Sequence, residues 1–197
     1  MSCRKMRAVG RRVYWPRRGG RQDMARRAEQ AASRLLAEAG EIAAPVNVER
    51  LAAHLGVVIS RSAFQDGDVS GMLVRQDGQS PVVGVNDAHS SHRQRFTIGH
   101  ELGHLLLHPG REVVLDRPVR VNLRDKTSSM ATDREEIEAN AFAASLLMPA
   151  DLVRSELQRL PAAVRQDPDG CAAALAPLFE VSDSAMGFRL INLGLVS

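Results

Sequence analysis

Phe96-Thr97-Ile98-Gly99-His100-Glu101-Leu102-Gly103-His104-Leu105-Leu106-Leu107-His108 contains two histidines four residues apart, with a glutamate directly after the first. The rest of the stretch is mostly apolar. In a helix of roughly 3.6 residues per turn, such histidines lie about 40° apart and one turn apart, so both imidazoles leave the same side. That spacing suits two nitrogen ligands at about 2.0–2.1 Å from one zinc ion, with room for a third ligand and a water. Glu101, beside the first ligand, is placed to take a proton from that water. The pattern reads as a catalytic zinc site with His100 and His104 as metal ligands and Glu101 as the base.

Three fixed positions in five also arise by chance, so the flanks carry weight. Ile98, Leu102, Leu105, Leu106 and Leu107 imply that at least one histidine is partly buried, and a buried polar group needs a hydrogen bond or a metal. Gly99 and Gly103 each cost about 1 kcal/mol relative to alanine in a helix interior. Two in one helix point to close approach by another backbone or by substrate. Ser91-His92-Arg93-Gln94 fits a capping box at the helix start, and Pro109-Gly110 ends it, giving a helix over about 91–108. His108 falls four residues after His104. It is open to three roles: a third ligand, a donor to a ligand, or an imidazole favoured by the helix macrodipole, the last being preferred. A metzincin is disfavoured, because its third histidine comes later, after a glycine.

A third protein ligand is expected from the next strong helix, read over about 133–148 and stopped by Pro149. Thr132 and Glu135 fit a second capping box. Glu138, Ala141, Phe142 and Ser145 share one stripe, so the Glu138 carboxylate faces packed groups and needs a partner. Glu135 and Glu136 fall in the first turn, where negative charge is favoured without further cause. Glu138 is therefore the expected metal ligand, with Glu135 as fallback; the competing reading is a solvated acidic helix start.

These motifs resemble those of the ImmA/IrrE metallo-endopeptidases. The carrying segments are Val85 to Pro109, with its HELGHLLLHP, and Arg134 to Pro149, with its EAN, FAA and LLMP. Val46 to Gly56 and Ser70-Gly71-Met72-Leu73 are also similar, and coverage runs from about Met24 to the C-terminus. The resemblance implies a zinc peptidase ligated by His100, His104 and the Glu138 of EAN, with Glu101 as catalytic base. It further implies cleavage of a partner regulator, commonly a helix-turn-helix repressor, and hence a place in stress response and transcription regulation.

The expected fold class is α+β: a small, mostly antiparallel sheet packed on the HExxH helix, zincin-like, with a helical C-terminal part. Its expected divisions are a basic, disordered tail over 1–23, a zinc metallopeptidase domain over 24–150, and a helical C-terminal subdomain over 151–197 packed on it. The formal charge of +3 hides an asymmetry: residues 1–27 hold ten Lys/Arg against one acid, and the remainder is acidic by six. That acidic balance argues against nucleic-acid binding by the folded part. The tail reads either as a basic arm or as a mis-assigned start ahead of Met24, the second being preferred because family-like sequence begins there. No signal peptide or transmembrane stretch is recognisable, and two cysteines are too few for a disulfide framework. A cytoplasmic protein with no membrane contact is expected.

Along the chain, helices are expected over 25–39 and 48–55, and a strand over 57–59. Two further strands over 69–74 and 81–85 are joined at Asp77-Gly78, a strong hairpin signal. Ser70–Val74 is expected as an edge strand that takes up substrate by strand addition. Val113–Leu115 and Val119–Leu123 are strand candidates, and 124–131 reads as a loop gating the cleft. Helices over 151–160, 171–179 and 182–190 complete the chain; the last two look superficially like a helix-turn-helix but read as a packing unit. The only tyrosine, Tyr14, lies in the tail, which leaves His89, His92, His108 or an arginine to stabilise an oxyanion. The alternative from another class is a catalytically inactive, zinc-stabilised regulatory or binding module. Glu101 argues against it, since a structural zinc site has four protein ligands and no use for a base.

Overall fold

The computed structural model describes residues 18–109, 113–116 and 126–196. Its elements are α1 (Arg18–Ala39), α2 (Val48–His54), β1 (Val58–Ser62), β2 (Gly71–Val74), β3 (Val82–Asn86), α3 (Ser91–Leu107), β4 (Val113–Asp116), α4 (Lys126–Leu147), α5 (Ala150–Arg159), α6 (Ala162–Arg165), α7 (Pro168–Phe179) and α8 (Asp183–Asn192). The class is α+β.

The four strands form one sheet in the order β1-β3-β2-β4. β1 runs parallel to β3, while β2 is antiparallel to both β3 and β4. The β2–β3 hairpin forms as expected, with Gly78 at φ 74 supplying the left-handed turn residue. The expected edge position of Ser70–Val74 is corrected: β2 is interior, with β4 bonded along one side and β3 along the other. An interior strand has no free hydrogen-bonding edge, so substrate cannot add to it. Strand alternation turns Gly71 and Leu73 inward and leaves Met72 and Val74 half-buried on the opposite face. There they help to line an open groove of about 470 Å³ with Phe64, Val82 and Gly84.

α3 lies on the inner face of the sheet, against β2 and β3, and α4 packs along its other side. The seam between the two helices is close because glycines face it. A methyl group on Gly99 would come to 3.4 Å from Ala143 Cα, and one on Gly103 to 3.1 Å from Ala139 Cα and 3.2 Å from Phe142 Cβ. The approaching group inferred from these glycines is thus the backbone of α4.

α3 starts at Ser91 as read, but its N-cap is Ser90 rather than Ser91, accepting from Arg93 N at 3.4 Å. Gln94 donates to Asp87 O and His89 O rather than closing a capping box. The start of α4 differs more. It begins at Lys126, so the Thr132–Glu135 cap is not used and the expected loop is helical from Lys126 onward. The candidate strand over 119–123 lies outside the described residues. α1 starts at Arg18, so the boundary expected at 23/24 falls inside a continuous helix, while residues 1–17 lie outside the described residues.

One apolar core runs through both expected divisions of the folded chain. Ala28, Leu35, Leu51, Leu73, Ile98, Phe142, Leu175, Phe179 and Leu190 belong to the same cluster. Arg189 of α8 adds a polar tie: buried, it donates to Met148 O at 2.9 Å and to Glu29 Oε1 of α1 at 2.7 Å. Among the described residues, no helix is long and apolar enough to cross a membrane.

Candidate metal centre

His100 and His104 are almost fully buried, at 2% and 1% exposure, on the side of α3 that meets α4. Their Nε2 atoms lie 3.0 Å apart. Each faces one oxygen of Glu136: His100 Nε2 is 3.3 Å from Oε2, and His104 Nε2 is 3.3 Å from Oε1. The three groups offer ligand atoms within 4.8 Å of one another. Burial alone raises the Glu136 carboxyl, but when both imidazoles carry a proton on Nε2, as they can without a metal, their hydrogen bonds and charge outweigh it and hold the group down at about 2.

The carboxylate brought to the imidazole pair is therefore Glu136, and the expectation of Glu138 is corrected. The reason is the start of α4. Read from a helix beginning near residue 133, Glu136 sits in a first turn and its charge needs no partner. In a helix beginning at Lys126 it lies three turns in, beside the seam. Glu138 does need a partner, as its stripe implied, but that partner is not the imidazole pair. Its Oε2 accepts from His108 Nε2 at 2.9 Å and from Arg27 Nη1 of α1 at 3.1 Å. Glu135, the fallback, is outside the three-group cluster.

Each imidazole of the pair is also held by its other ring nitrogen. His100 Nδ1 donates to Asn140 Oδ1 at 3.1 Å, and His104 Nδ1 lies 3.2 Å from His108 Nδ1. Both contacts are made through Nδ1 and so turn Nε2 toward the partner imidazole and Glu136, the arrangement usual for histidines that ligate a metal through Nε2. Asn140 escaped the sequence reading. Its signal was its spacing, four residues after Glu136 and so on the same face of α4. His108 is corrected from a macrodipole partner to a hydrogen-bonding neighbour of His104. Burial pushes its imidazole down, with the Glu138 hydrogen bond offsetting part of that. The helix end is served by Arg75, which donates to His104 O at 2.6 Å and His108 O at 2.9 Å. Burial lowers the Arg75 guanidinium, and the charge of Glu101 restores part of the shift.

Glu101 is fully buried on the sheet side of α3. A methyl group added to Gly71 of β2 would stand 3.3 Å from its Oε1 and 2.3 Å from Thr97 Cγ2, so the strand is seated directly on this carboxylate. Of the candidate oxyanion donors, His108 has both ring nitrogens engaged. His92 is exposed in the first turn of α3, eight residues and about 12 Å of helix rise from His100. Tyr14 lies outside the described residues. The donor chemistry fits a divalent metal: two buried imidazoles oriented through their second nitrogens and one carboxylate spanning them.

Comparison with known proteins finds one family over this region. The Peptidase M78 family model, described as the IrrE N-terminal-like domain, matches residues 52–190, a span that contains α3, α4 and all three groups of the cluster. No curated protein matches significantly. Among solved structures, a Mycobacterium tuberculosis transcriptional regulator superposes with a TM-score of 0.52 at 20% identity, over 87% of this chain and 50% of that one. At that identity the likeness is one of fold, and this chain spans half the length of that protein.

Proposed function

Given that the chain belongs to the IrrE N-terminal-like domain family of metallopeptidases, we propose that it is a zinc-dependent endopeptidase. Its substrate on this reading is a partner regulatory protein, a helix-turn-helix repressor, met in the cytoplasm. The observation that carries the proposal is the meeting of two buried imidazoles, His100 Nε2 and His104 Nε2, with both oxygens of the partly buried Glu136 in one cluster. Three donors converge among the described residues, as in catalytic zinc sites, where structural sites take four. The family resemblance supports the repressor as substrate. The packing of the HExxH helix between a sheet and a second helix supports a zincin-like site.

Bound zinc supplies Lewis acidity, which polarises the scissile carbonyl and acidifies water. The chain's own residues do the rest. Glu101 takes the proton of the attacking water and delivers it to the leaving amine, a role worth about 10²–10⁴-fold in rate. Its burial against β2 keeps the carboxylate in one place, which serves a base that must meet each incoming water in the same geometry. Asn140 and His108 hold the two imidazoles, and the Glu136 charge offsets that of the cation.

The test replaces Glu101 with Gln. Peptide cleavage of a helix-turn-helix repressor encoded beside the gene, followed by mass spectrometry of the products, is expected to fall by at least about 10²-fold, with zinc still bound at one ion per chain. Undiminished cleavage would refute the assigned base, and wild-type protein without zinc would refute the metal site.

A further inference from the structure

Glu138 Oε2 receives two donors, Arg27 Nη1 at 3.1 Å and His108 Nε2 at 2.9 Å. Arginine can only donate, so this oxygen is an acceptor and the hydrogen of the His108 contact sits on His108 Nε2. In the neutral ring, His108 Nδ1 is then the bare nitrogen. It faces His104 Nδ1 at 3.2 Å, so the hydrogen between them belongs to His104. That leaves His104 Nε2 bare and turned toward Glu136 and His100.

We propose that His108, held by Glu138 and Arg27, is the positioning residue that fixes the tautomer and ring orientation of His104 for metal binding. The inference rests on the reading of His104 as a ligand. His100 receives the same service in one step, from Asn140; His104 receives it through a second imidazole that ends on an ion pair with α1. Three elements meet in this chain. Arg27 also donates through Nη2 to Leu107 O at 3.0 Å, and Arg75 holds the His108 carbonyl. The His108 ring is thus anchored at its backbone and at its far nitrogen before it touches His104. Such outer partners of metal-ligating histidines typically change metal affinity by about 10–100-fold when removed.

The experiment measures zinc dissociation constants by chelator competition, together with the melting temperatures of the metal-free proteins and the visible spectra of their cobalt(II) forms. His108→Leu is expected to weaken zinc binding by about 10–100-fold and to alter the cobalt bands. His108→Gln, which can still accept from His104 and donate to Glu138, should recover most of that affinity. A packing role alone would show as a lower metal-free melting temperature with affinity unchanged. Should His108→Leu not fold, Glu138→Leu carries the same expectation. Affinity within twofold of wild type in whichever of these two variants folds would overturn the inference, as would an equal loss in His108→Gln. Wild-type protein that holds no zinc would instead overturn the metal site itself.

Discussion

Toward α4, the clearance that α3 needs is cut into the helix: Gly99 and Gly103 let the α4 backbone come within contact of its own. Toward the sheet, α3 keeps its side chains, Thr97 and Glu101, and the clearance is cut into the strand at Gly71. The difference follows from what each side delivers. The α4 side must gather groups from two helices onto one point, so the axes have to be close. The sheet side must confine one group already on α3, so the strand gives way to a carboxylate. The geometry of the imidazole–carboxylate cluster therefore depends on helix–helix spacing, whereas confinement of Glu101 depends on a single strand position.

Breaking the α4 side at its chemistry should have the largest effect. Glu136→Ala removes the bridging carboxylate and is expected to abolish stoichiometric zinc and with it all peptidase activity, as read by metal analysis of the dialysed protein. Glu138→Ala should retain measurable zinc, which separates the two glutamates. On the sheet side, Gly71→Ala places a methyl 2.3 Å from Thr97 Cγ2. Overpacking of this kind costs typically about 1–3 kcal/mol, to be read from denaturant midpoints. Thr97→Ser, which removes the opposing methyl, should restore most of that loss; no restoration would mean that the strand does not sit where described. The subtlest is Gly103→Ala. Its gain in helix propensity, about 1 kcal/mol, offsets the strain against Ala139 and Phe142, so stability should change by less than about 1 kcal/mol. Zinc affinity should nevertheless fall by about tenfold, within the range for disturbed ligand support, because Glu136 moves with α4.

The HExxH helix and its converging pair of buried imidazoles were legible because a single helix turn relates the two histidines, and a motif confined to one element carries its own geometry. Gly99 and Gly103 were legible for the same reason, as an anomaly in one helix. The third group was not. Glu136, Glu138 and Glu135 lie within four residues, and choosing among them requires the phase of α4 against α3. That phase depends on where α4 begins, and Thr132 with Glu135 imitates a cap inside a helix that starts at Lys126. Local capping signals are weak next to the tertiary packing from which most helical stability in proteins comes. The interior position of β2 was hidden for another reason: its second partner, Val113–Asp116, lies some forty residues later, and nothing near Ser70–Val74 announces it. Asp77-Gly78, by contrast, closes a local hairpin and was read correctly.

α1 sits wholly ahead of the segment that the family model matches, 18–39 against 52–190. Yet Ala28, Ala32, Leu35 and Leu36 are buried in the common core, and Arg27 reaches the Glu138 carboxylate. An expression clone trimmed to the recognised span would strip that helix away, laying bare an apolar strip on α4 and releasing the far end of the His108 chain. Such a fragment should precipitate or bind zinc poorly, and its failure would say nothing about the activity of the full polypeptide.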